Sequence, residues 1–471
     1  MKKIYITLII SLYTLSLFSQ LDRSKAPEGA AMKKVEFGKP SRFTLPNGLQ
    51  VLVVENHKQP IVSFSLSLDY TPFMEGEITG NSTVAGELLK CGTKSRSKAM
   101  IDEDIDFIGA TLRTYDKGIW ASSLSKHTEK VVTIMSDVLL NPTFPIEPLE
   151  NIKNQKLTEL MANKEEPDAI SDNIASSALF GEKHPFGEIV TEKTIQNISQ
   201  KSCSEFYKTY FKPNIATLVI VGDITTEQAE TLAKKYFSKW KRGKVATQIV
   251  TQPEPFNANM VAIAHKEGSN QSTIAVTYSL DLKPNSPDRI KARVMNEILG
   301  GGTFQAKLFQ NLREKHAYTY GAYSQLSTNK YVGKFEAQAD VRAAITDSAF
   351  TEIIKEMTAL ATDTVTEAEL QLVKNSIAGS FGRSLESPET IARFELDIIR
   401  NNLSPDFYAT YLQQLEAVTK EDVQAMAKKY LKPNNALLIA VGDSALLTKL
   451  LINKTAAGNM HYYNAEGKKI K

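Results

Sequence analysis

Cysteine is almost missing from this chain: Cys91 and Cys203 are the only two among 471 residues. A disulfide-stapled fold is thereby excluded, and so is a zinc finger, because no Cys-x-x-Cys or Cys/His cluster surrounds either thiol. Whether the two pair stays open, since sequence spacing does not give the distance between them; two buried free thiols are the alternative. Histidine is also scarce. The six, at positions 57, 127, 184, 265, 316 and 461, never fall within one helical turn of each other. A surplus of either charge is lacking too: 56 Lys and Arg stand against 53 Asp and Glu. That balance speaks against nucleic acid or an anionic membrane as the main partner. Long apolar runs are confined to the start. Lys2 and Lys3 precede a mostly apolar stretch over residues 4–18, with the small Ser19 before Gln20. Residues 1–20 therefore read as a cleaved signal peptide, the run being shorter than the about 20 apolar residues of a spanning helix. No later stretch is long enough to cross a bilayer. The expectation is export, to the periplasm in a bacterium, without stable membrane insertion.

What is present is ample core material, with 42% hydrophobic and 23% charged residues, in a length that suits two to four domains of about 150 residues. The most informative feature is an internal repeat. Residues 210–223 read YFKPNIATLVIVGD and residues 430–443 read YLKPNNALLIAVGD, 220 positions apart. Each copy reads as a helix end, a Lys-Pro-Asn turn and a buried strand closing on Gly-Asp. The opening of the first half, residues 43–54, reads as strand, Asn-Gly turn, strand, and residues 61–68 alternate as a half-buried strand. Helical periodicity follows at 83–91, 100–109, 126–139 and 147–164. In the second half, strands are expected at 260–265 and 273–280, and helices at 287–299, 344–361, 366–384 and 404–430. Strands followed by helices in each copy imply an α+β fold of two homologous domains, each a sheet with helices packed on one face. The expected division is a signal peptide at 1–20, a first domain at 38–240, a polar linker with Pro253 and Pro255 at 241–258, a second domain at 259–452, and a polar, poorly ordered tail at 453–471.

Five motifs together carry a resemblance. They are Leu45-Pro46-Asn47-Gly48-Leu49, the Gly80…Gly92-Thr93 segment, His184-Pro185-Phe186-Gly187, the duplicated Lys-Pro-Asn…Gly-Asp ending, and Leu299-Gly300-Gly301-Gly302 followed by the helix-like stretch 308–315. On these, over roughly residues 38–445, the chain resembles the pitrilysin/insulinase family of zinc peptidases, the inverted zincins that include mitochondrial processing peptidase. The resemblance implies a clam-shell half of the family chamber. Active members carry H-x-x-E-H on a helix before the Gly-Thr pair: two imidazoles and a distant Glu hold zinc, and the intervening Glu takes a proton from bound water. Counting back from Gly92-Thr93, the matching positions here are Thr83, Gly86 and Glu87. The distant ligand falls at Glu159, next to Thr158. Threonine, glycine and glutamate do not replace two imidazoles and a base, so the chain alone is expected to be inactive, with no cofactor of its own.

The resemblance also implies substrate-holding groups, an Arg and a Tyr seven residues apart in the second half, which here are Arg313 and Tyr320. A guanidinium and a phenol can donate to a peptide carbonyl. The structural alternative is an Arg that caps a helix over 303–314 and a Tyr buried on the next strand, with Tyr318 as near competitor on the same strand face. His184 reads as a turn residue and His265 as structural. Gly300, Gly301 and Gly302 read as a place of close backbone approach, with room for a passing extended peptide, and not as a phosphate loop. The functional expectation is a non-catalytic, substrate-binding subunit of an exported heteromeric zinc metallopeptidase. Its partners would be a related chain with the intact motif, which holds the zinc, and extended or unfolded peptides. The alternative is a structural or peptide-binding protein of the same fold with no peptidase partner.

Overall fold

Pro46, Asn47 and Gly48 make the first turn of the computed structural model, which describes residues 35, 38, 40–455 and 458–470; the signal-like segment 1–20 lies outside the described residues. The turn joins β1 (Ser41–Thr44) to β2 (Gln50–Glu55) in an antiparallel hairpin with Ser41 opposite Val53. Gly48 sits at φ 88°, the left-handed region glycine adopts freely. The buried Asn47 amide donates to the carbonyls of Phe237 at 2.8 Å and Trp240 at 3.0 Å, tying the start of the first half to its end.

The remaining strands of the first half are β3 (Ile61–Leu68), β4 (Thr111–Tyr115), β5 (Gly118–Leu124) and β6 (Ala216–Gly222), ordered β1-β2-β6-β3-β5-β4. The second half has β7 (Met260–His265), β8 (Gln271–Leu280), β9 (Ala322–Ser327), β10 (Gly333–Arg342), β11 (Leu437–Gly442) and β12 (Met460–Tyr463), ordered β12-β7-β11-β8-β10-β9. The duplication is visible in the pairing. In both sheets the repeat strand, β6 or β11, runs parallel to the first long strand and antiparallel to the next. Both are buried at every position, as their unbroken apolar sequences require.

Only the outer position beside β2 and β7 differs. β1 is antiparallel there, whereas β12 is parallel to β7. Within the segment 453–471, expected to be a poorly ordered tail, Met460–Tyr463 is thus a strand of the second sheet. Past β12 its backbone is held by side chains of the first half: Asn173 donates to Ala465 O at 2.9 Å and Ser177 to Gly467 O at 2.6 Å. Its polar composition concealed this because main-chain groups make the contacts.

Helices of the first half are α1 (Asn81–Leu88), α2 (Lys98–Phe107), α3 (Thr128–Leu140), α4 (Ile146–Asn163), α5 (Pro167–Phe180), α6 (Glu192–Asn197), α7 (Gln200–Tyr210) and α8 (Thr226–Phe237). The second half has α9 (Arg289–Leu299), α10 (Thr346–Thr362), α11 (Glu367–Ser384), α12 (Pro388–Asn401), α13 (Tyr411–Glu416), α14 (Lys420–Tyr430) and α15 (Ser444–Leu451). Most pack on one face of their own sheet, where Val131, Met135 and Leu139 of α3 meet Phe64 and Ile220, and Ile353 and Met357 of α10 meet Val276 and Phe335.

The other faces are not left in water. Ile170, Ile174 and Leu179 of α5, a first-half helix, cover Ala262, Ala275 and Ile439 of the second sheet. Reciprocally, Ala392 of α12 covers Leu52, Val54, Val219 and Val221 of the first. Both helices begin with Pro in the first turn, where its missing N–H costs nothing. Each half therefore lends the other a helix, and both sheets are covered on two faces instead of the expected one. Among the described residues no helix is long and apolar enough to cross a membrane.

Candidate functional site

Helix α1 starts where the Glu75 carboxylate accepts from the backbone N–H groups of Gly80, at 2.7 Å, and Ser82, at 2.6 Å. Burial raises that carboxyl above its ordinary range even though these bonds favour its charge. After α1, Thr93 of the Gly-Thr pair donates to Asp137 Oδ2 on α3 at 2.7 Å, joined by Ser95 and Arg96 at 2.6 Å each. Both ends of the helix are thus pinned, and Thr83 and Glu87 lie one turn apart on it.

Thr83 is exposed, and Glu87 is half-buried. Glu87 Oε1 lies 3.0 Å from Nζ of Lys156 on α4, and the same ammonium lies 3.0 Å from Glu159 Oε2. Glu159 also accepts from Gln155 at 3.1 Å. Burial works against the charge of Lys156, yet the two carboxylates hold its amine above the usual range. The sequence-derived metal positions Glu87 and Glu159 do come together, and a lysine joins them.

Gly86, expected at the position of the general base, is closed off by backbone. A Cβ there would lie 2.2 Å from Asp116 N and 2.3 Å from the Tyr115 carbonyl carbon, in the turn between β4 and β5. That turn is itself held, as Tyr70 OH donates to Asp116 Oδ2 at 3.1 Å.

These residues do not fit zinc. Two carboxylates already bridged by an ammonium, an exposed hydroxyl and a glycine offer neither imidazole nor a base. Among the described residues no group of three or more His, Cys, Asp or Glu side chains converges elsewhere. Cys91 and Cys203, whose pairing the sequence left open, are both free and buried. Burial raises both thiols, Cys203 to about 12, which leaves them unreactive as thiolates.

In the second half, Arg313 lies in a π-helical turn over Gln310–Lys315 that continues a short α-helical turn over Lys307–Phe309, so the helical run starts later than the helix expected at 303–314. Its guanidinium stacks on Phe309 at 4.8 Å, and Nη1 donates to the backbone carbonyl of Tyr320 at 3.0 Å. The arginine and tyrosine singled out from their spacing are thus joined through the main chain. Tyr320 precedes β9 and is 86% exposed, so it is not a buried strand residue. Tyr318 also lies outside the strand, stacked on His316 at 4.8 Å. Around Arg313, Phe304 packs edge-on against Phe309 at 5.1 Å and stays 70% exposed.

His184 is a turn residue that spends both ring nitrogens on backbone: Nδ1 accepts from Phe186 N–H at 3.0 Å, and Nε2 meets Thr251 O at 3.1 Å. His265 Nδ1 meets the Ser444 backbone N–H at 3.3 Å, at the start of α15. Gly300 marks a close approach, since a Cβ would lie 2.6 Å from Ser324 N, whose N–H donates to Gly300 O at 2.7 Å. The chain running past it is β9 itself.

Two features escaped the sequence reading. Lys156 stands three residues before Glu159 on a helix, a spacing open to inspection, but its contact with Glu87 depends on how α1 and α4 pack. The strand β4 was missed as well, and the strand expected around Tyr318 and Tyr320 begins only at Ala322, as β9. Both are edge strands, opposite β1 and β12 in their sheets, with β4 beside α1 and β9 beside the Arg313 turn; Ser324 in β9 is bonded outward to Gly300 O and the Asn296 amide.

A family model described as "Peptidase M16 inactive domain" matches residues 197–377. An uncharacterized zinc protease of Bacillus subtilis is 23% identical over 413 residues, 84% of this chain and 97% of that protein. A probable mitochondrial-processing peptidase subunit beta of Arabidopsis thaliana is 22% identical over 423 residues, 85% of this chain and 77% of that one. Among solved structures, a peptidase M16 inactive domain from Pseudomonas fluorescens shares the fold with a TM-score of 0.78 at 23% identity, covering 86% of this chain and 98% of that one. The periplasmic protease PqqL of Escherichia coli gives 0.70 at 16% identity, covering 89% of this chain and 49% of the longer protein. The family model begins at residue 197 and does not reach α1.

Proposed function

The chain belongs to the pitrilysin/insulinase-type M16 peptidases, as a member without the H-x-x-E-H motif, and from that premise we propose that it is the non-catalytic, peptide-holding subunit of a two-chain zinc peptidase. The observation that carries this reading is an asymmetry between the halves. At α1 the donor set is replaced by the Glu87–Lys156–Glu159 bridge, while the second half keeps Arg313 beside the edge strand β9. An edge strand can take an extended peptide as a further strand, and on β9 that pairing is open only to either side of Ser324, whose N–H and O are bonded to Gly300 O at 2.7 Å and the Asn296 amide at 3.0 Å. Arg313 and the exposed Tyr320 phenol supply directed donors there. Zinc, its ligands and the base belong in this reading to a related partner chain. Support comes from PqqL, a protease about half of which this chain covers. The signal-like residues 1–20 and that neighbour's periplasmic site support export.

The test is reconstitution with a co-purifying relative that carries H-x-x-E-H. The isolated chain is expected to leave peptides intact, and the mixture to cleave them. Arg313→Ala is expected to slow the mixture at least tenfold. Chelator-sensitive cleavage by the isolated chain, or undiminished cleavage with Arg313→Ala, overturns the reading. Peptide retention by a chain that finds no peptidase partner moves it to the partnerless binding protein.

A further inference from the structure

At the far end of β9 from Tyr320 lies a cavity of about 510 Å³ between α9, α11, α12 and the residues leading into α13. Its polar lining is dominated by guanidinium groups. Arg289 is forked onto Asp397 Oδ2 at 3.2 Å and 3.3 Å and lies over the Phe407 ring at 5.1 Å. Arg293 donates to Tyr411 OH at 2.8 Å and approaches Glu297 only at 3.9 Å. Arg393 is exposed and lies over the Phe394 ring at 6.0 Å. Among the described residues no carboxylate lies within ion-pair distance of Arg393. Asp397, the one carboxylate in the lining, is already engaged by Arg289, Tyr408 and Asn401. The cavity therefore holds an excess of positive charge against aromatic walls, which suits an anion carried on an apolar or aromatic body.

Position narrows the ligand further. Leu326 and Thr328 line the cavity, so it opens where β9 ends. From Tyr320 to Thr328 an extended chain spans about 26 Å at about 3.3 Å per residue, which is the length of a short peptide strand. We propose that this cavity binds the C-terminal carboxylate and apolar side chain of an extended peptide whose preceding residues lie along β9, with Arg393 as the carboxylate's contact. The proposal rests on the peptide-holding reading above and adds a polarity and an end-group preference to it.

The test is fluorescence anisotropy on the full-length mature chain. It uses one N-terminally labelled eight-residue peptide ending in Phe, as free acid and as amide, with N-acetyl-phenylalanine, its amide and inorganic phosphate as competitors. The free acid is expected to bind at least tenfold more tightly than the amide. Arg393→Ala, at an exposed position with no carboxylate among the described residues within ion-pair distance, is expected to bring binding of the acid down to that of the amide. N-acetyl-phenylalanine should displace the acid where its amide and phosphate do not. Equal binding of acid and amide, an acid preference that survives Arg393→Ala, or displacement by phosphate as effective as by N-acetyl-phenylalanine overturns the proposal. If neither peptide binds while N-acetyl-phenylalanine still stabilises the chain against heat in an Arg393-dependent manner, the cavity assignment stands and the edge-strand reading fails. If both peptides bind equally, the reverse holds.

Discussion

An ammonium between two carboxylates balances one of their two negative charges where a divalent metal would balance both, and it brings no open coordination position and no bound water to acidify. At Lys156 this replacement is built from residues on two helices, and Gly86 reinforces it by letting the β4–β5 turn lie against α1. Restoring the motif with Thr83→His, Gly86→Glu and Glu87→His is therefore expected not to restore the site. The new side chain at 86 must displace the Tyr115–Asp116 backbone, at a cost of about 3 kcal/mol or more. Thermal unfolding and the zinc content of the purified variant check this, and stoichiometric zinc at unchanged Tm contradicts it. Asp137 is a second residue with a measurable signature. Burial opposes its charge, but hydrogen bonds from Ser95, Thr93, Asn141 and Arg96 hold its carboxyl below the ordinary range. A folded-state pKa below the unfolded one means that its stabilisation is full above the ordinary aspartate value and lost as pH falls below about 4. Asp137→Asn should lower stability near neutrality by about 2 kcal/mol and flatten the acid limb of a stability–pH curve. An unchanged acid limb contradicts the assignment.

At the scale of elements, α5 and α12 link the halves most directly. Ile174 belongs to the first half, yet its fully buried side chain packs on the second sheet. Ile174→Ala is expected to cost about 3 kcal/mol and to speed amide exchange in β7 and β11 while sparing β2 and β6. Exchange that quickens first in β2 and β6 contradicts that packing. The sequence announced neither this exchange nor several of the elements around it. The β1–β2 hairpin, the repeat strands β6 and β11, and the longer amphipathic helices were legible because turn chemistry and periodicity are local signals. β4 was missed because Thr111, Arg113 and Tyr115 face water from an edge strand and dilute its apolar pattern. Helix α12 was missed although Pro388 marks its start, and the stretch expected as one helix at 404–430 is two shorter helices, α13 and α14. For the site, counting from Gly92-Thr93 singled out Thr83, Gly86 and Glu87, and the structure brings Glu87 together with the expected Glu159. The ammonium between them was not legible, because a lysine's partners across two helices leave no mark on spacing.

For the whole molecule, residues from Val35 to Lys471 form one compact unit, and the reciprocal helices explain why two sheets with separate cores do not behave as separable domains. Cut at the linker, the first half would expose Leu52, Val54, Val219 and Val221 on one side and the apolar stripe of α5 on the other. Residues 21–240 expressed alone are expected to aggregate, and co-expression with residues 241–471 to recover a soluble complex, as size-exclusion chromatography would report. A monomeric, cooperatively folded first half contradicts this. The same arrangement sets a timetable for synthesis. α5 leaves the ribosome long before β11, the strand it must lie on, and β12 comes later still. Until then its apolar stripe has no permanent seat, so the chain stays uncommitted almost to its last residues, a state well matched to threading through an export channel.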